Sequence, residues 1–446
     1  MPPDLFLLFF TVILSAILCS LLFKKNINST QPLPPGPKGW PIFGNLPQLS
    51  TKPHHTLYAF SKIHGPLIYL QFGSVDVVVV SSCSVASQFL KTHDANFSNR
   101  PPNSGAEHIA YNYQDMVFAP YGSRWRALRK ICAIHLFSPK ALDDLMPIRK
   151  AAVMSMAKEV YFQGKKGAVV DLSQVISVCA MDALSRATVG WKVFGEGKEA
   201  SEFKAMVVEL MQLAGVFNVG DFVKGLAWMD PQGVVRKMKK LHKRFDEFFD
   251  YLIEARRTGK NRGGGRGMLN NLFVAGIDTS SSTVEWALAE LIRHLDILKQ
   301  AQEELNSVIG RHRLVTEQDL PNLPLFQAII KEVFRLHPPS PLSLPRTGNN
   351  ACEINGYHIP KNATLLVNVW AIGKDPTIWK NPIRFDPWRF LPGGPHAHAD
   401  VKGNNFELIP FGAGRRMCAG MRLGLRMVQI MTATLIHAFD WVLPDG

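Results

Sequence analysis

The stretch Phe411-Gly412-Ala413-Gly414-Arg415-Arg416-Met417-Cys418-Ala419-Gly420 limits what this chain can become more than any other. One cysteine sits in a glycine-rich loop, and a run with helical periodicity, Met421 to Phe439, follows at once. A sulfur at a helix N-terminus meets the positive end of the helix dipole and backbone N–H groups without intrahelical partners, and both favour the thiolate. Gly412, Gly414 and Gly420 remove side chains, so the backbone can approach something large and flat. Arg416 sets a permanent cation two residues before the sulfur, suited to a carboxylate. An iron porphyrin ligated by thiolate, with a propionate on the arginine, meets these needs. A buried structural cysteine in a glycine loop is the plainer alternative.

The rest of the chain narrows the setting. With 446 residues, 46% of them hydrophobic, it can build one large domain or two to three ordinary ones. Fifty Lys and Arg against 36 Asp and Glu give a formal charge of +14, which points to an anionic partner: a membrane surface, an acidic protein or nucleic acid. No zinc-finger or RNA-binding signature supports nucleic acid. Cys19, Cys83, Cys132, Cys179, Cys352 and Cys418 lie far apart without a C-x-x-C pair, the pattern of reduced, cytosol-facing thiols. Leu5 to Phe23 runs for 19 residues without a charge, enough to cross a bilayer. Lys24 and Lys25 follow it and no basic residue precedes it, so the positive-inside rule places the body in the cytosol. No small-x-small cleavage site follows before Pro32, which favours a retained single-pass anchor over a signal peptide. A buried core helix fits less well, because the run is apolar on every face.

Beyond the anchor, Pro32-Leu33-Pro34-Pro35-Gly36-Pro37 makes a stiff, extended linker. Leu67 to Leu70 and Val75 to Val80 flank Phe72-Gly73 and read as a hairpin. Helical periodicity marks Ser123 to Leu136, Glu202 to Val216, Val234 to Arg256, Ser280 to His294, Leu325 to Leu336 and Met421 to Phe439. Ile354-Asn355-Gly356-Tyr357 is a hairpin turn, with a strand from Ala363 to Val369 after it. There is no regular β-α alternation, so the expected fold is mainly α with small peripheral β-sheets. Arg257 to Gly267 is a glycine-basic run that reads as a flexible linker. A nucleic-acid-binding RGG segment is its sharper reading.

Several other residue sets bear on chemistry. Trp125 and Arg129 are four apart on one helix face, where an indole N–H and a guanidinium can donate to the same carboxylate; such a pair is also common on surfaces. Glu332 and Arg335 are three apart near a helix end, otherwise an ordinary ion pair. Ala275-Gly276-Ile277-Asp278-Thr279 precedes a serine-threonine run. Mid-helix hydroxyls bond back to carbonyls, which would account for Thr279 structurally; an acid beside an alcohol also suits proton delivery. Arg124, Arg126, Arg129 and Lys130 crowd one helix as a solvated cationic face.

Phe411, Gly414, Arg416, Cys418 and Gly420 fall on the Phe-x-x-Gly-x-Arg-x-Cys-x-Gly signature, and through it the chain resembles the cytochrome P-450 family of haem-thiolate monooxygenases. The resemblance implies the cytochrome P-450 fold, with Cys418 as the axial ligand of the haem iron and a thiolate that favours O–O cleavage. It implies haem contacts from Trp125, Arg129, Arg416, Phe411 and Arg346, the last after Leu344-Pro345. It gives Thr279 a hydrogen-bonding role and Asp278 a relay role in oxygen activation. Glu332, Arg335 and Arg389 become a buried network behind the haem, although Trp388 stands where the family usually has Glu. The proline hinge would set the body against the membrane, and part of the 124–130 cationic face would receive an acidic reductase.

Within the family, Asn99 to Ala106, Tyr111 to Asp115, Met229 to Leu241, Leu342 to Arg346 and Gly403 to Glu407 resemble the plant flavonoid 3′-hydroxylases. The flavonoid 3′,5′-hydroxylases share many of these blocks and stay open as the alternative. The implied reaction inserts one oxygen from O₂ into the flavonoid B ring, with electrons from NADPH through NADPH-cytochrome reductase. Substrate contacts are expected from Pro101 to Phe118, Met206 to Phe217, Ala275 and Leu342 to Leu344. The implied layout is an anchor at 1–25 in membrane lipid, a hinge at 26–41 and a haem domain at 42–446 facing the cytosol from the endoplasmic reticulum, with no nucleic-acid partner. Three departures are expected to matter. The 257–268 region is shorter than in the family and should remove the start of the distal helix. The chain stops at Gly446 before the family's final strands, and His294-Leu295 replaces the usual His-Pro. An inactive haem-binding product of an incomplete gene is therefore the reading of another class.

Overall fold

The computed structural model describes residues 11–15, 31–193, 198–257 and 266–444. Of the expected anchor only 11–15 is among them, and it is helical; the remainder of Leu5 to Phe23 and the core of the glycine-basic run lie outside the described residues. Among the described residues one stretch, Ala200–Phe222, is long and apolar enough by composition to cross a membrane. Its Phe203, Val207 and Leu210 are buried in protein, as in a core helix.

The chain forms two compact units. The first, made of residues 1–104, 216–236 and 342–371, holds the sheets. Strands β1 (Leu67–Phe72) and β2 (Val75–Val80) form the expected hairpin; β3 (Arg346–Thr347), β4 (Cys352–Ile354), β5 (Tyr357–Ile359) and β6 (Thr364–Val367) come much later. The four-stranded sheet runs β1-β2-β6-β3, with β2 and β6 parallel and the other pairs antiparallel. Val77 to Val80 are all buried, as a valine run covered on both faces should be. β4 and β5 pair across Asn355 and Gly356, whose φ values of 55° and 79° make the left-handed two-residue turn that Asn-Gly favours. Helix α1 (Pro53–His64) adds Leu57 to the core of Ile68, Leu70, Phe72 and Val77.

The second unit, residues 105–215, 237–341 and 372–446, carries nearly all the helices. In order they include α2 (Ser104–Ile109), α3 (Ser123–His135), α4 (Met146–Lys165), α5 (Leu172–Thr188), α6 (Lys198–Ala214), α7 (Val234–Arg257), α8 (Arg266–Arg293), α9 (Leu295–Ile309), α10 (Pro324–Leu336) and α11 (Met421–Ala438). A single core joins α4, α5, α8, α9, α10 and α11 through residues such as Ile176, Leu288, Leu305, Phe326 and Met431. Two outcomes depart from expectation. Helices α4 and α5 escaped the sequence reading because α5 buries ten of its residues, Val175 to Ser185 with one gap, and so shows no polar face to set a period. Helix α8 does not begin at Ser280. It runs for 28 residues from Arg266, about 42 Å, so Ala275 to Thr279 sits inside the helix rather than at its start.

Candidate functional site

The cysteine loop is shaped by its glycines. Gly412 and Gly414 both take φ near +69°, where a side chain would be strained. The Gly414–Arg416 turn follows, and Cys418 N–H returns to the Phe411 carbonyl at 2.9 Å. That bond folds the ten residues back on themselves and delivers the sulfur to the start of α11. There the backbone N–H groups of Gly420 and Met421 point at Cys418 and lower its thiol pKa, as does the Arg129 guanidinium. Burial is the larger influence and holds the thiol above its ordinary value. The cysteine nonetheless carries accessible surface. A sulfur deep among protein atoms that still has open surface faces a cleft rather than bulk water. The helix terminus therefore pulls in the direction the sequence led one to expect, but burial outweighs it.

Around the sulfur stands a ladder of rings and guanidiniums. Trp125 on α3 is buried, with Arg416 at 4.9 Å and Arg129 at 5.9 Å from its ring centroid. Tyr121 lies 5.2 Å from Trp125 and is flanked by Arg126 and Arg415 at 5.7 and 5.8 Å. Arg416 Nη2 donates to the Ala119 carbonyl at 2.5 Å and Nη1 to that of Val117 at 3.4 Å. The buried arginine thus straps the cysteine loop to the 105–119 segment. Burial lowers the Arg129 guanidinium, and the neighbouring Cys418 and Cys132 thiols pull it back up. Tyr121 and the two carbonyls had not been singled out from sequence; Pro120-Tyr121-Gly122 at the entry of α3 was the available signal.

Helix α8 brings the second set. Ala275 is exposed between buried Val274 and Ile277, so the helix shows a small residue to open space at this point. The Thr279 hydroxyl donates to the Ala275 carbonyl at 2.5 Å, and Thr283 does the same to Thr279 at 2.7 Å. These are the backbone-directed bonds expected of mid-helix hydroxyls. Burial raises the Asp278 carboxyl, against the lowering pull of Lys204 on α6. A carboxyl that keeps its proton to higher pH can donate it as well as accept one.

Glu332, Arg335 and Arg389 meet in full burial. Arg335 grips Glu332 with two bonds of 2.7 Å, Nε to Oε2 and Nη2 to Oε1. Arg389 Nε reaches Oε1 at 3.2 Å, and the Asp386 N–H reaches the same oxygen at 2.8 Å. The remaining guanidinium donors close on carbonyls of Gly373, Pro382, Arg384 and Lys380. Trp388 points outward at 38% exposure, so the departure from the family pattern leaves the network untouched. Lys374 was not anticipated. It donates to the Leu336 carbonyl at 2.6 Å, and burial brings its ammonium down to about 7. Arg346 lies in the other unit, on β3, buried and 3.6 Å from Asp94. Phe411 packs on Phe334 with ring centroids 5.2 Å apart.

These features fit a haem. Among the described residues there is no cluster of three His, Cys, Asp or Glu side chains able to hold a bare metal ion. One thiol with N–H groups behind it suits a metal already carried by a ring. A Cβ built on Gly412 would meet nothing within 4 Å, leaving that backbone face open to a flat neighbour.

Comparison with known proteins agrees. The family model described as Cytochrome P450 matches residues 34–270 and 265–446. A flavonoid 3′-monooxygenase of Crocosmia x crocosmiiflora is 58% identical over 468 aligned positions, covering 99% of this chain and 92% of that protein. A flavonoid 3′-monooxygenase of Petunia hybrida is 55% identical, covering 99% and 92%. A flavonoid 3′,5′-hydroxylase of Crocosmia x crocosmiiflora is 53% identical, covering 98% and 90%. An alignment of 468 positions exceeds the 446 residues of this chain, so the first relative carries residues inside the aligned stretch that this chain lacks.

Proposed function

The chain belongs to the cytochrome P450 family, and on that premise we propose that it is a flavonoid 3′-monooxygenase. It is an oxidoreductase of the monooxygenase type, with a thiolate-ligated haem as cofactor and a redox partner as electron source. The observation that carries the reading is the Cys418 thiol set against Gly420 and Met421 N–H groups beside Arg129. When bound, the haem supplies the oxygen and electron chemistry. Cys418 would hold its iron. Trp125, Arg129 and Arg416, with Arg346, would take its carboxylate arms, and Phe411 would pack beside the ring. Asp278 would hold and pass a proton, and Thr279 would offer its hydroxyl toward the same space by releasing the Ala275 carbonyl. The Glu332-Arg335-Arg389 network would keep the chain behind the ring in place.

The 3′ position rests on the relatives. Those named flavonoid 3′-monooxygenase reach 58% identity, against 53% for the 3′,5′-hydroxylase of the same plant. The finer partners are an NADPH-cytochrome reductase and membrane lipid. The proposed setting is the endoplasmic reticulum, with one N-terminal span and the body in the cytosol. Support comes from the 19-residue uncharged run and the lysines behind it. Substrate walls are proposed from 101–118, 206–217, Ala275 and 342–344. The test is reconstitution with a plant reductase, a flavanone and NADPH. The expected product carries one new hydroxyl at 3′. A version with its missing residues restored from a full-length relative that gave a thiolate-type carbonyl spectrum yet left every flavonoid unchanged would overturn the substrate.

One observation favours a second reading. The family model matches in two pieces that meet at residues 265–270, and the aligned relative has residues this chain lacks. We infer a shortened connection near 257–268. If it disables turnover, the product is a haem-binding protein without hydroxylase activity. A version with the connection restored from a full-length relative separates the two: equal turnover by both retires this reading.

A further inference from the structure

Helix α2 ends in an unusual way. The Asn112 N–H bonds to the Glu107 carbonyl at 2.8 Å and the Tyr111 N–H to that of His108 at 3.3 Å. This bond pair defines a helix stop whose pivot residue takes the left-handed conformation and is commonly glycine. Here the pivot is Tyr111, at φ 52°. Asn112 and Tyr113 continue in the same region at 54° and 58°. Two tyrosines among three consecutive left-handed residues is costly backbone, and strain of this kind persists only where surroundings hold it. What holds it is visible. The Tyr111 hydroxyl donates to Asp246 Oδ1 on α7 at 2.6 Å, and its ring stands edge-on to His242 at 4.8 Å. His242 lies 3.4 Å from the other Asp246 oxygen, so both side chains of α7 face the tyrosine.

The other end of the segment is tied to the cysteine loop. Asp115 is buried and caps the Phe118 N–H at 2.7 Å, the Ala119 N–H bonds back to the Asp115 carbonyl, and Arg416 grips the Val117 and Ala119 carbonyls. The 105–119 segment is therefore a strap fastened by Arg416 at the sulfur end and by Tyr111 at the α7 end, with Arg124 Nε on the Gln114 carbonyl at 3.0 Å between them. A glycine at 111 would make the turn without strain but could not reach α7.

We propose that Tyr111 is a positioning residue that sets the shape of the substrate wall. Its bond to Asp246 keeps the 105–119 strap in the left-handed form. Losing that bond lets the turn relax and the wall move, which weakens substrate capture while leaving the sulfur site in place. The substrate part rests on the proposed function above; the strap itself does not.

The test compares the full-length wild type with Tyr111→Phe, Asp246→Ala, Asp246→Asn and the double variant Tyr111→Phe/Asp246→Ala. Hydrogen exchange is read at the amides of Asn112, Gln114 and Phe118, and steady-state kinetics are read with a flavanone. Tyr111→Phe keeps the ring and the backbone strain and removes only the hydroxyl. It should speed exchange at these amides about tenfold and raise KM by a similar factor, the order expected for a lost bond to a charged acceptor, with kcat within about twofold. Asp246→Ala should match it, Asp246→Asn should stay near wild type because the amide oxygen still accepts, and the double variant should be no worse than either single. Unchanged exchange in Tyr111→Phe would overturn the fastening. Faster exchange with unchanged KM would overturn the role in shaping the substrate wall. If no variant and no wild type hydroxylates a flavonoid, the kinetics are repeated in the version with the connection restored, where absent turnover overturns the substrate, while the exchange comparison decides the strap in either case.

Discussion

Two arginine clusters in the helical unit handle buried charge in opposite ways. At Glu332, Arg335 and Arg389 a carboxylate lies between two guanidiniums, and the donors left over end on carbonyls within hydrogen-bond range. At Trp125, Arg129 and Arg416 the partners include an indole face, two backbone carbonyls and a thiol. With Asp386 3.6 Å from Arg389, the first cluster sets two carboxylates against its two guanidiniums. In the second, the guanidiniums stand over an aromatic face and next to a sulfur. A carboxylate locked between guanidiniums serves the fold, whereas guanidiniums beside a thiol and an indole are suited to the carboxylates of the proposed haem.

Substitutions in the two clusters should therefore fail differently. The largest effect is expected at the sulfur: Cys418→Ala should lose the thiolate-type carbonyl spectrum entirely while the chain still folds by circular dichroism. Retention of that spectrum would mean that another cysteine binds the iron. Next is Glu332→Ala, which strands two buried cations. It should cost about 3–5 kcal/mol in urea unfolding, and a cost under about 1 kcal/mol would break the contrast. Arg129→Ala should be milder, releasing haem to a competing apoprotein about tenfold faster, the order of one charge-assisted bond, with little change in unfolding.

The network also predicts a pH dependence. Lys374, beside Glu332 and Arg335, releases its proton near 7 in the folded chain and near 10.5 when unfolded. Between those values the unfolded state binds more protons, so stability rises with pH and is lost again as pH falls toward 7. Urea midpoints at pH 7 and 9.5 should rise more for wild type than for Lys374→Met; equal rises would remove the lysine from the account. The smallest effect is expected for Trp388→Glu, about 0.5 kcal/mol or less, because that side chain lies outside the network.

How much of this could be read in advance follows from chemistry. The loop around Cys418 was legible because glycine, arginine and cysteine at fixed spacing have few other uses. The Asn355-Gly356 hairpin and the Val75–Val80 strand were legible because turn and period are local properties. Helix α5 was not, since burial on every side erases the polar face on which period reading depends. The full length of α8 was hidden because Arg257 to Gly267 reads as a linker, while Gly276 inside the helix lies against Leu184 of α5. Lys374 and Tyr111 were invisible for another reason: each matters through a partner more than thirty residues away, Leu336 for one and Asp246 for the other.

The parallel pairing of β2 with β6 has a consequence for the order in which the molecule is made. Val77 to Val80 must wait for Thr364 to Val367 before the sheet can close. Nearly three hundred residues leave the ribosome between those two strands, and loop closure over that distance is slow. Through that interval β1 and β2 have only each other, with an unpaired valine edge exposed to any other nascent strand. The helical unit can begin with contacts close in sequence, α4 to α5 and α9 to α10, although its core too is completed only when α11 emerges. A translating cell would meet this protein first as a folding bundle trailing an open hairpin, and protection of that hairpin by chaperones would matter most before residue 364 emerges.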